Sequence, residues 1–162
     1  MMKPRSRFLA TALLTCSAAA YAAGGGGAGG ADASDASSTN PVIVSAKAAI
    51  STKDWGAAQA GLKQALAANP KNAEYHNLYA YSMRKGGNAD MALVFQHYDE
   101  ALRLDPKHRG AHEYSGEAYL AAGDLPKAKL HLAALDKLCF FGCEEYTDLK
   151  KAVAEYEASH KR

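Results

Sequence analysis

The feature that most constrains this chain is an internal repeat. Trp55, Met91 and Leu125 open similar segments and are separated by 36 and then 34 residues, and Pro70, Pro106 and Phe140 keep the same offsets. The small residues Ala46, Ala80 and Gly116 reverse the order, with 34 and then 36. One arrangement produces both orders: a 34-residue unit, with two extra residues between the two halves of the second copy. They fall within Gly86-Gly87-Asn88-Ala89-Asp90, a glycine-rich turn where an insertion costs little chain entropy.

Each unit reads as a pair of helices. Ala46, Ala80 and Gly116 let the first helix of each unit approach its neighbour, and Ala58 and Ala128 do so for the second. Val94 is bulkier at the matching place and implies slightly wider packing in the second unit. Pro70 and Pro106 cannot continue a helix, so each ends a unit. The spacing predicts helices over 41–51, 54–68, 72–85, 90–104, 108–122 and 125–138, and a seventh from Glu144 to about Ser159. On the seventh, Tyr146, Leu149, Val153 and Tyr156 form one apolar stripe. Glu144 and Glu145 at its start and His160, Lys161 and Arg162 after its end complement the helix dipole.

The third unit carries Gly116, Tyr119, Gly123, Asp124 and Ala128, and the second ends in Ala101-Leu102-Arg103-Leu104-Asp105-Pro106. In these residues, and in its 34-residue period, the chain resembles the tetratricopeptide repeat family over about 120 of its 162 residues. The first unit departs most, with Ala46 and Ala49 in place of the family's glycine and tyrosine, though Ala58, Ala65 and Pro70 remain. The resemblance implies an all-α, right-handed superhelical stack of about three helix-turn-helix repeats. These span about 39–72, 73–108 and 109–142 within a region 40–143, followed by a capping helix over 144–160. One repeat alone cannot bury its apolar face, whereas three stacked repeats can.

Members of the family generally hold ligands along the concave face made by the first helix of each repeat. Mapped by repeat phase, that face presents Ile43, Lys47 and Ile50, then Asn77, Tyr81, Arg84 and Lys85, then Glu113, Glu117 and Leu120. The resemblance thus implies a groove that is apolar at the first repeat, basic with a tyrosine at the second and acidic at the third, suited to a peptide or helix of mixed charge. Gly110 and Tyr114 occupy two positions that the family's clamp for C-terminal carboxylates fills otherwise, so that specificity does not transfer.

The ends differ in character. Lys3, Arg5 and Arg7 precede an apolar run from Phe8 to Ala20, and Ala20-Tyr21-Ala22 supplies the small residues of a cleavage site. Residues 1–22 are therefore expected to be a secretory signal cleaved after Ala22, which makes the mature chain periplasmic or secreted and leaves it no transmembrane segment. Leu13-Leu14-Thr15-Cys16 partly matches a lipoprotein box, but Thr15 disfavours an anchor at Cys16. Residues 23–39 are Gly, Ala, Ser and Asp with a final Thr39 and no large apolar side chain, the composition of a flexible linker. Cleavage leaves 16 basic residues against 17 acidic, a net charge of −1, so nothing points to nucleic acid.

Cys139 and Cys143 then remain, flanking Phe140-Phe141-Gly142. In an oxidising compartment they are expected to form a disulfide, the alternative being a thiol-redox or metal-handling pair. No nucleophile, phosphate-binding or zinc-protease motif occurs. His108 and His112 are four apart, but His112 and His76 share a repeat position used for packing. Glu113 and Glu117 read as solvated groove residues rather than an acid–base pair. The expectation is a non-catalytic scaffold without cofactor or metal that binds a protein partner in the envelope.

Overall fold

A computed structural model describes residues 39–87 and 89–161, which contain seven α-helices and no strand. The export signal, the Cys16 anchor and the linker up to residue 38 lie outside the described residues. The helices are α1 (Pro41–Ser51), α2 (Trp55–Ala68), α3 (Ala73–Lys85), α4 (Met91–Leu104), α5 (Arg109–Ala121), α6 (Leu125–Leu138) and α7 (Glu144–Ser159). Each end falls within one residue of the span read from the sequence. No helix among the described residues is long and apolar enough to cross a membrane.

Capping explains why the ends are so well defined. Asn40, Asp54, Asn72, Asp90, His108 and Asp124 each accept a hydrogen bond from a backbone N–H in the first turn of the helix that follows. Such caps satisfy donors that the helix cannot, and each contributes about 1 kcal/mol. Only α7 lacks a side-chain cap, and there Glu144 and Glu145 occupy the first turn instead.

Among the described residues, the turn inside each helix pair has one left-handed residue: Lys53 (φ 60°), Gly87 (φ 77°) and Gly123 (φ 80°). Lys53 and Gly123 sit directly before the capping aspartates Asp54 and Asp124, whereas two positions, 88 and 89, separate Gly87 from Asp90. That places the extra pair of the second unit after its left-handed glycine. Lys53 adopts this conformation without the freedom of glycine, a departure that fits the worn first unit.

Every helix packs on its neighbours in sequence, and α1 also packs on α3, α3 on α5, and α5 on α7. The odd-numbered helices thus form a continuous row, and α7 extends it. The core is divided along this row. Ile43, Ala46, Leu62, Ala65, Tyr75 and Leu78 form one cluster, Ala80, Val94, Tyr98 and Ala118 a second, and Leu120, Ala128, Leu135, Cys139, Leu149 and Val153 a third. Val94 and Tyr98 are completely buried, so the bulkier residue at position 94 is accommodated without exposure.

Two histidine pairs tie helices together in equivalent places. His76 Nε2 lies 2.9 Å from the Pro70 carbonyl oxygen and its Nδ1 lies 2.8 Å from His97 Nδ1. His112 repeats this with the Pro106 carbonyl and His131 Nδ1, both at 3.1 Å. A carbonyl only accepts, so His76 and His112 carry their protons on Nε2 and offer Nδ1 lone pairs to Nδ1–H donors on His97 and His131. Burial, reinforced by His112, pushes His131 down to about 4, which keeps the second pair neutral.

At the last corner Cys139 and Cys143 lie at disulfide-bonding distance, with Cα atoms 5.5 Å apart. Cys139 ends α6, Cys143 precedes α7, and Gly142 turns the chain between them with φ 85°. A bond closing so short a loop contributes about 2 kcal/mol through the unfolded chain.

Candidate functional site

The row of odd-numbered helices bears a groove of about 1140 Å³. Lys47 from α1, Asn77, Tyr81 and Lys85 from α3, and Glu113 and Glu117 from α5 all line it. Ile43 lines it too, so seven of the ten residues mapped by repeat phase share one surface, whereas Ile50 and Leu120 pack against the first and third core clusters instead. Arg84 is not among the lining side chains. It is largely buried, and its Nη2 lies 2.6 Å from Glu117 Oε2, so it anchors that carboxylate from behind. Beside it, burial pushes the Tyr98 hydroxyl up to about 12 despite the nearby guanidinium.

Near α1 the groove holds a satisfied charge cluster. Glu74 takes Lys47 Nζ at 2.8 Å, His108 Nε2 at 2.9 Å and Asn77 Nδ2 at 3.1 Å. Burial alone would raise this carboxyl, but its three partners outweigh burial and hold it down at about 2. His108 Nδ1 accepts from the Ala111 N–H, so the proton on Nε2 is the one donated to Glu74. His108 thus caps α5 and braces the groove floor, while His112 belongs to the pair with His131, and the two do not share a site. Sequence reasoning missed Glu74, whose only signal was its place in the first turn of α3 after Asn72.

The centre is aromatic. The Tyr81 ring lies 4.4 Å from Tyr114 and 6.3 Å from Trp55, centroid to centroid, with Lys85 Nζ 5.6 Å from its own centroid. Gly110 keeps the adjoining floor open, since a Cβ there would stand 3.3 Å from Asn77 Nδ2.

Toward α7 the balance changes. Glu113 is 9% exposed rather than solvated, and among the described residues it has no hydrogen-bond or ion-pair partner. Burial, then the charges of Glu117, Asp148, Glu145 and Glu144, pushes its carboxyl up to about 8. Glu145 lies 3.7 Å from Arg109, but Glu144 and Asp148, which also line the groove, have no cation within ion-pair distance among the described residues. Asn77 is 2% exposed, and its Oδ1 is buried without a partner because its amide nitrogen serves Glu74.

No family model matches the chain, and no curated protein matches it. Cys139 and Cys143, outside the groove, and Glu145 on its wall hold ligand atoms within 4.8 Å of one another. Joined sulfurs offer no thiolate, so a metal there first requires reduction.

Proposed function

We propose that residues 40–160 are three tetratricopeptide-type repeats with a capping helix, stacked as a right-handed superhelix. Their concave groove holds an extended or helical segment of another protein, without catalysis. The observation that carries this reading is the groove along α1, α3, α5 and α7, which collects residues of equivalent repeat phase beside groups of Asn77, Glu113, Glu144 and Asp148 that are unpartnered among the described residues. The repeated left-handed turns, the caps from Asp54 onward and the histidine pairs support the same reading, because all keep the 34-residue unit with its one insertion. Export after Ala22 would put this scaffold in the periplasm or outside the cell, with residues 23–39 giving it reach.

Photo-crosslinking tests the groove. A benzoylphenylalanine at Tyr81 is expected to capture partner protein in the envelope, while the same group at Leu130, which is 70% exposed on α6, captures none. Equal capture from both positions would remove the groove as the binding surface.

A further inference from the structure

Two features of the groove call for a hydrogen-bond donor that the protein does not supply. Asn77 Oδ1 is an acceptor sealed from water by its surroundings and lacking a partner. An unmet buried acceptor is costly, and persists where something else satisfies it. Glu113, the residue at the matching phase of the next repeat, is a buried carboxyl lining the same groove, also without a partner among the described residues. These are independent signs, one a neutral amide and the other an acid.

We infer that the groove between Asn77, Glu113 and α7 receives an arginine or lysine side chain of the bound protein segment. This rests on the groove reading above and names what the groove selects. Charge complementarity decides the occupant. Lys47 is engaged with Glu74 and Arg84 with Glu117, and the unpaired groove lysines Lys71 and Lys107 lie in the turns before α3 and α5. Among the described residues, the carboxyls of Glu113, Glu144 and Asp148 have no ion-pair partner. An acidic segment would meet like charge here, and an apolar one would leave Asn77 Oδ1 unsatisfied. A guanidinium or ammonium answers both, giving donors and countercharge to Glu113 and α7 and, once the Asn77 side chain turns toward the groove, a donor to its Oδ1.

Entry of the cation also changes Glu113 itself. The groups facing it are Glu117 and Tyr114 on its own helix, Tyr81 on α3, and Glu144, Glu145 and Asp148 on α7. Acids dominate this set, and with burial they keep the carboxyl protonated near neutral pH. A bound cation reverses that, so Glu113 loses its proton to solvent on binding.

Isothermal titration calorimetry of the intact processed protein tests this. The probe is a ten-residue alanine–serine peptide, blocked at both ends, with two adjacent arginines, compared with versions carrying two glutamines or two glutamates. The arginine peptide is expected to bind at least tenfold more tightly than the glutamine one, and more tightly still than the glutamate one. At pH 7, titrations in buffers of different ionisation enthalpy should show release of close to one proton. Glu113→Gln should remove the proton release and cut the arginine preference to under threefold. Asp148→Asn, an exposed change that leaves packing intact, should weaken the arginine peptide severalfold. Equal binding of arginine and glutamine peptides would overturn the inference while leaving the groove reading in place. Failure of every peptide, together with absent crosslinks from Tyr81, would remove both. Concentration-dependent dimers that vanish when Lys161 and Arg162 are deleted would assign the cationic site to a second copy instead, and overturn the partner.

Discussion

Glu113→Gln should make the protein more stable at pH 8 by about 2 kcal/mol, roughly 8 °C in the unfolding midpoint for a domain of this size. The folded-state carboxyl is pushed up to about 8 from an ordinary value of 4.5. Between those values the folded chain holds a proton that the unfolded chain has released. Stability from this group is therefore complete below about pH 4.5 and falls as pH rises toward 8. Glutamine cannot ionise, so the variant escapes the loss. The full shift would be worth more, and solvent reaching the open groove reduces it. Thermal unfolding of both proteins at pH 4.5 and pH 8 checks this. The curves should nearly coincide at the lower pH and separate at the higher. A glutamine variant that is less stable at pH 8 would mean that Glu113 has a partner within the fold.

The same residue is assigned a ligand in the groove, so the two effects oppose each other. A carboxyl that weakens the fold yet improves binding is what a functional position does, and a purely structural one has no reason to persist in that state.

Gly116→Val should destabilise the protein by about 2–3 kcal/mol, through the seat of α7. A Cβ at 116 would lie 2.5 Å from Leu149 Cδ2 and 2.7 Å from Cδ1. Leu149 is completely buried in the cluster that joins α5, α6 and α7, so it has no room to turn away. Either α7 shifts outward or the leucine leaves its rotamer, and both cost packing. Denaturant unfolding measures the loss. Proteolysis between α6 and α7 should accelerate in parallel if the strain falls on the cap. Gly116→Ala should show the same change at smaller size. A valine variant with an unchanged midpoint would contradict the close approach of α5 and α7.

This glycine also shows where sequence reading reached and where it stopped. The period identified 46, 80 and 116 as small, and the aspartates, asparagines and prolines bounded the helices, because those signals are local and repeat. Why 116 must be glycine depends on Leu149, which lies 33 residues further along and in a helix outside the repeat. The site divides in the same way. Repeat phase placed Asn77, Tyr81, Glu113 and Glu117 on one face, since helical phase fixes direction. It did not reveal that Arg84 turns behind Glu117, that Glu74 gathers Lys47, His108 and Asn77, or that Glu113 is largely buried without a partner among the described residues. Those depend on side-chain rotamers and on distances between helices, for which a 34-residue period carries no information. Reading Glu113 and Glu117 as solvated followed from treating a groove as open surface, and the approach of α7 is what buries Glu113.

The central claim is that a protein segment lies along the odd-numbered helices. Titration of the 15N-labelled protein with the arginine peptide, followed by amide chemical shifts, tests it most directly. The account predicts shifts confined to the groove side of α3, α5 and α7, centred on Asn77, Tyr81 and Glu113, with the outer faces of α2, α4 and α6 unmoved. Shifts centred on those outer faces, or on the exposed Phe140-Phe141 corner, would contradict it.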